Sequence, residues 1–174
     1  MSTPKISVVV ITYNSSKYVL ETLESVKNQD YSNLELIVSD DCSTDDTFKI
    51  CKKWVSDNAT RFCRAVVAQT EKNGGICVNY NHGLREVQGE WVKYIAGDDI
   101  LLPHCISTFV SDLNFSSDKI MLCGIIGFSN SDVSEIERVI HKNFDELTVG
   151  GQEKYIVKSN TFMSGPTLFL ESNT

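Results

Sequence analysis

Residues 91–103 read WVKYIAGDDILLP. Trp91, Val92, Tyr94, Ile95 and Ala96 form a nearly continuous apolar run, as in a strand covered on both faces, and the run breaks at Gly97 into adjacent carboxylates, Asp98 and Asp99. Like charges side by side at the end of a buried strand are unfavourable unless solvent, a cation or hydrogen-bond donors neutralise them. The pair is therefore a candidate for a divalent metal. Capping of a following helix, with Pro103 in its first turn, accounts for these thirteen residues equally well.

Moving upstream, the same grammar recurs. Ser7 to Ile11 (SVVVI) is β-branched and continuous, and Thr12, Tyr13 and Asn14 follow at its carboxyl end. Ser15 or Ser16 is placed to cap a helix with Val19, Leu23 and Val26 on one face, ending near Asn28. Leu34 to Ser39 is a second strand, ending in Asp40 and Asp41; Ser43 with Asp46 resembles a capping box before a helix carrying Phe48, Cys51 and Val55. Cys63 to Ala68 reads as a third strand. After it, Asn73, Gly74 and Gly75 permit positive φ and close backbone approach, and Ile76 to Val87 reads as a helix ended by Gly89.

Four strand–helix units in succession predict an α/β fold: a doubly wound, mostly parallel sheet with helices on both faces. Ligands bind such sheets beyond the carboxyl ends of the strands, where strand order reverses. The four polar ends, Thr12 to Asn14, Asp40 with Asp41, Asn73 to Gly75, and Asp98 with Asp99, should converge there. Capping explains one acidic pair but does not require every end to be polar.

Beyond Asp99, Pro103 to Leu113 reads as a helix, Ile120 to Phe128 (IMLCGIIGF) as one buried strand, and Glu135 to Ile140 as a shorter strand. Residues 150–170 suggest a short helix, a polar loop over Ser159 to Pro166 and a strand from Thr167 to Leu170.

Composition narrows the partners. At 174 residues and 41% hydrophobic the chain can bury one core. A net charge of −7, with Lys52-Lys53 the longest basic cluster, argues against nucleic acid, so an anionic ligand needs metal or backbone amides. The six cysteines show no zinc-type spacing and are expected to be free, buried thiols. The first residues read as a strand and not as a leader, and no stretch has the length of a membrane span, which points to the cytoplasm. GxGxxG is missing after the first strand and GxxxxGK[ST] is missing throughout, against dinucleotide oxidoreductases and P-loop enzymes. An acidic metal site in a doubly wound sheet fits transfer from a diphosphate leaving group, whose charge Mg²⁺ or Mn²⁺ neutralises.

The segments SVVVITYNSSKYVLETLESVKNQDYSNLELIVSDDCSTDDT, EKNGG, YNHGLREVQGEWVKYIAGDD and LLP, in unbroken order over about residues 5–103, resemble the family 2 glycosyltransferases. The resemblance implies a single GT-A domain of inverting, metal-dependent nucleotide-sugar transferases. Its nucleotide-binding half spans about 5–103 and its acceptor half begins at about 104–174, in a piece truncated at its C-terminus. It implies that Thr12, Tyr13 and Asn14 line the nucleoside pocket, that Asp41 accepts a hydrogen bond from the base, and that Asn73, Gly74 and Gly75 lie near the nucleotide. Asp98 would face the ribose or sugar and Asp99 would ligate Mn²⁺ or Mg²⁺. The implied partners are a nucleotide-sugar donor, with UDP the family expectation, and a glycan or lipid-linked acceptor. Membrane association of a full-length protein stays open, as does the oligomeric state.

Departures qualify this. Ile11 stands where the family often has proline, and Ala96 replaces a frequent first aspartate. Tyr80 and His82 stand where basic residues are common, leaving Lys72 and Arg85 as candidates for diphosphate contact and His82 as a helix-surface residue. No acidic residue matches the family's general base, which the resemblance puts beyond Thr174. Asp145 and Glu146 are nearest by position but read as a solvated loop, and Ser164 to Pro166 are candidates for the acceptor side. Two other readings remain: a nucleotide-binding module without catalysis, and a receiver-like regulatory domain. The latter fits poorly, because receivers gather acids after the first and third strands, whereas these pairs follow the second and fourth.

Overall fold

The computed structural model describes residues 3–113, 120–122, 125–128, 136–139 and 168–171. Its main sheet has six strands: β1 (Ile6–Thr12), β2 (Leu34–Asp40), β3 (Arg64–Gln69), β4 (Trp91–Ala96), β5 (Ile120–Leu122) and β8 (Leu168–Glu171), in the order β3-β2-β1-β4-β8-β5. β1 pairs in parallel with β2 and with β4, and β2 in parallel with β3; β8 is antiparallel to both β4 and β5. A separate ribbon pairs β6 (Ile125–Phe128) with β7 (Ile136–Val139).

Every residue of β1 and β2 is buried, as expected of interior parallel strands with mostly apolar sequences, and the buried polar residues among them, such as Ser7 and Glu35, bond each other. Strand alternation divides the sheet into two faces. Val8, Val10, Leu36, Val38 and Ile95 pack with Val19, Leu23 and Val26 of helix α1 (Val19–Lys27), Cys51, Trp54 and Val55 of α2 (Thr47–Asn58), and Ile106 and Phe109 of α4 (Cys105–Leu113). On the opposite face Val9, Ile11, Ile37, Val92 and Tyr94 pack with Val87 and with Tyr80 of α3 (Ile76–Leu84). Helices thus cover both faces, and no helix among the described residues is long and apolar enough to cross a membrane.

Strands β1 to β3 step outward in one direction and β4 lies on the other side of β1. The order reverses between β1 and β4, and the carboxyl ends of such a pair are where doubly wound sheets bind their ligands. It is there that Thr12 to Asn14 and Asp98 with Asp99 emerge.

Several expectations need correction. Neither serine caps α1: its N-cap is Tyr18 without a side-chain hydrogen bond, and Ser15 contributes its carbonyl, which accepts from Tyr18 and Val19 N–H. The box before α2 does not form either, because the Ser43 hydroxyl is spent on Asp40. Pro103 lies outside α4, since His104 adopts φ +64 before the helix opens at Cys105. The single strand read over 120–128 is two, β5 in the main sheet and β6 in the ribbon, because one straight strand cannot serve both. Of five described cysteines only Cys51 is buried; Cys63 and Cys77 are exposed. The readings placed on Cys123, Asp145, Glu146, the helix near residue 150 and Ser159 to Pro166 lie outside the described residues.

Candidate functional site at the carboxyl edge of the sheet

Parallel pairing aligns Thr12 with Asp40 and Ile11 with Ala96, so the polar residues after β1, β2 and β4 share one edge. Hydrogen bonds to the β1 carbonyls tie them there. Thr12 C=O accepts from Asp41 N–H (2.9 Å) and from Asn79 Nδ2 of α3 (3.2 Å), while Gly97 N–H donates to Ile11 C=O (2.8 Å). Gly97 is packed so closely that a Cβ would lie 2.7 Å from Thr12 Cγ2, so only glycine lets the β4 end lie against the β1 end.

The two aspartates after β2 divide their work. Asp40 is fully buried. Its Oδ1 accepts from the hydroxyls of Thr12 (2.8 Å) and Ser43 (2.6 Å), and its Oδ2 from Ser43 N–H (2.9 Å) and Gln69 Nε2 (2.9 Å), so one carboxylate clamps the ends of three strands. Asp41, 3% exposed, turns to the loop after β3: Oδ1 accepts from Gly74 N–H (2.9 Å) and Oδ2 from Gly75 N–H (2.8 Å), with the Thr70 hydroxyl 3.0 Å from Oδ1. Gly75, at φ +82, opens α3 in a left-handed conformation that lets this amide point back at Asp41. Asp41 and Asn73 to Gly75 are therefore one unit, with the Asn73 side chain also accepting from Gly75 N–H (3.0 Å).

On the β4 side Asp98 is exposed and Asp99 half-buried. Burial, reinforced by the Asp98 charge, pushes the Asp99 carboxyl above the usual aspartate range, against a backbone hydrogen bond at Ala96 and the charge of Lys93. Burial followed by the Asp99 charge likewise raises the Tyr80 phenol, whose ring meets Tyr94 with centroids 4.5 Å apart. A carboxylate whose charged form is disfavoured, beside a second one in solvent, is a site that a cation relieves. Among the described residues no three His, Cys, Asp or Glu side chains gather to enclose a metal. One or two carboxylates with the remaining positions filled by phosphate and water is the pattern for Mg²⁺ held with a phosphate ligand, and Asp98 and Asp99 fit it.

Tyr13 is exposed beyond β1, Thr12 is buried against Asp40, and the Asn14 side chain is turned toward Thr44. Lys72 and Arg85 are exposed. His82 is not a plain surface residue: it is half-buried with Nδ1 2.9 Å from the buried Ser39 Oγ, behind the rim. Sequence reasoning read Ser43 only as a helix cap and missed Thr44, Asp45, Thr47 and Thr70, which with Ser43 lace the rim loops together, and Lys93, fully buried in β4. A lysine inside the apolar run WVKYIA was the available signal for the last; the loop residues carried none beyond their turn-forming character.

The glycosyl transferase family 2 profile matches residues 7–169. The glycosyltransferase GlyG of Streptococcus pneumoniae is 32% identical over 128 residues, 73% of this chain and 41% of its own length. The GalNAc(5)-diNAcBac-PP-undecaprenol beta-1,3-glucosyltransferase of Campylobacter jejuni is 36% identical over 111 residues, 64% of this chain and 35% of that protein. The crystal structure of Staphylococcus aureus TarS 1–349 in complex with UDP-GlcNAc superposes with a TM-score of 0.75 at 27% identity, covering 97% of this chain and 45% of that one. The chain spans less than half the length of these relatives. With a family match over most of its length and a sheet of the GT-A type, the chain belongs to the family 2 glycosyltransferases.

Proposed function

We propose that the protein binds a nucleoside-diphosphate sugar, with UDP as the first candidate, and transfers the sugar with inversion to a hydroxyl of a glycan or lipid-linked acceptor. The observation that carries this is the convergence of Thr12 to Asn14, Asp41 with its glycine loop, and Asp98 with Asp99 on the edge where the strand order reverses. UDP-GlcNAc in the TarS structure and the undecaprenol-linked acceptor in the Campylobacter enzyme's name support the donor and acceptor classes.

In this reading Tyr13 offers an aromatic face to the base, the backbone of Thr12 and Asn14 on either side carries it, and the loop built on Asp41 closes the other side. Asp98 meets the ribose or sugar. Asp99 would hold Mg²⁺ or Mn²⁺, which when bound supplies positive charge to the leaving diphosphate. The acceptor oxygen attacks the anomeric carbon as the bond to the diphosphate breaks, and the hydroxyl proton passes to a base.

Calorimetric titration with UDP, with and without Mn²⁺, tests the reading. Binding should require the metal and weaken about tenfold or more in Asp99→Ala, equivalent to about 1.4 kcal/mol. Affinity indifferent to both metal and Asp99 would remove this residue from the ligand set.

A further inference from the structure

The loops that follow β1 and β2 are stitched together by side chains. Thr12 bonds Asp40, Ser15 N–H donates to Thr47 Oγ1 (2.8 Å), and Ser16 N–H donates to Asp45 Oδ2 (3.2 Å). Asn14 lies at the middle of the seam with φ +50, a left-handed conformation that Asn and Gly tolerate better than other residues. Its N–H donates to Ser43 Oγ (2.9 Å), and its Oδ1 accepts from both Thr44 N–H (2.9 Å) and Thr44 Oγ1 (3.2 Å). The Ser43 hydroxyl in turn donates to the buried Asp40. Tyr13 is thus bracketed: the residue before it is held by Asp40 and the residue after it by the 43–44 turn. Tyr13 itself is 47% exposed at the rim.

We infer that Asn14 is a positioning residue. It fixes the backbone on which Tyr13 is presented to the nucleobase, with its side-chain oxygen committed to Thr44 and not to the ligand. The inference rests on the nucleotide-binding reading and refines it: an aromatic face set before the ligand arrives need not be ordered at the cost of binding free energy. Both side-chain bonds use only the acceptor atom of Asn14, so aspartate should replace it. Glycine should keep the left-handed backbone while losing the tie to Thr44.

The test is calorimetry on the whole chain with two probes, UDP and inorganic pyrophosphate, each with Mn²⁺. Asn14→Gly should weaken UDP about tenfold or more and leave pyrophosphate within about threefold, because only the base meets Tyr13. Asn14→Asp should stay within about threefold of the parent for UDP, and Thr44→Ala, which removes one of the two donors, should fall between. UDP affinity unchanged in Asn14→Gly overturns the inference. So does an Asn14→Asp as weak as the glycine variant, since the amide would then touch the ligand itself, and so does parallel loss of both probes. Should Asn14→Gly fail to melt cooperatively, Thr44→Ala decides, with unchanged UDP affinity counting against. A parent chain that ignores UDP removes the nucleotide reading and this inference together, and that arm alone reports it.

Discussion

Replacing Asp41 with alanine removes the acceptor on which the loop after β3 is built. Two backbone amides, Gly74 and Gly75, donate to its two oxygens at 2.9 and 2.8 Å, and the carboxylate is 3% exposed while residues 71–78 around the loop are exposed. A hydrogen bond to a charged group contributes about 1.5–3 kcal/mol. Water can reach these amides once the loop opens, so the low end applies to each and the pair contributes about 3 kcal/mol to the closed loop. Amide exchange at Gly74 and Gly75 should therefore accelerate by about 10²-fold in Asp41→Ala, with core amides of β1 nearly unaffected. Asp41→Asn should be nearly as damaging, because its amide group sets a donor against a donor. Exchange at both glycines within about threefold of the parent would refute the idea that Asp41 organises this loop.

Four further outcomes follow from the packing and electrostatics. Glu35 is fully buried and accepts from Ser7, Gln88 N–H and Arg64, whose guanidinium also reaches Glu86; Glu35→Ala should cost about 3–5 kcal/mol in urea unfolding by leaving this network uncompensated. Burial would raise the Glu35 pKa, but the bonds from Ser7, Gln88 and Arg64 outweigh it and hold the carboxyl below the usual range. Its contribution is thus complete above the ordinary glutamate pKa and is lost as pH falls through the lowered value, a loss that Arg64→Met should reduce in acid titrations. At Gly83 of α3, a Cβ would lie 2.6 Å from Val9 Cγ1 and 3.2 Å from Ser39 Cβ, so Gly83→Ala should push α3 off the sheet at a cost of about 1–3 kcal/mol in the same assay. Because the Asp99 pKa is raised, protons compete with a cation there earlier on acidification, and Mn²⁺-dependent UDP affinity should begin to fall at a pH above the ordinary aspartate range.

Local pattern decided much of the fold. Strands ending at Thr12, Asp40, Gln69 and Ala96 lie within a residue of where the apolar runs stop, because interior parallel strands are mostly apolar, a buried polar residue such as Glu35 stands inside one only with partners, and consecutive polar residues mark the exit. That logic also located the rim, since parallel strands put all their carboxyl ends on one edge. What the chain's order could not convey was which donor each rim oxygen would meet. Asp40 and Asp41 are adjacent and chemically identical, yet one faces three strand ends and the other a loop more than thirty residues away. Ser43 looked like a helix cap and became a ligand of Asp40; His82 looked solvated and lies against Ser39. Hydrogen-bond partners depend on distances between segments remote in sequence, and those distances exist only once the sheet has brought the segments to the same edge.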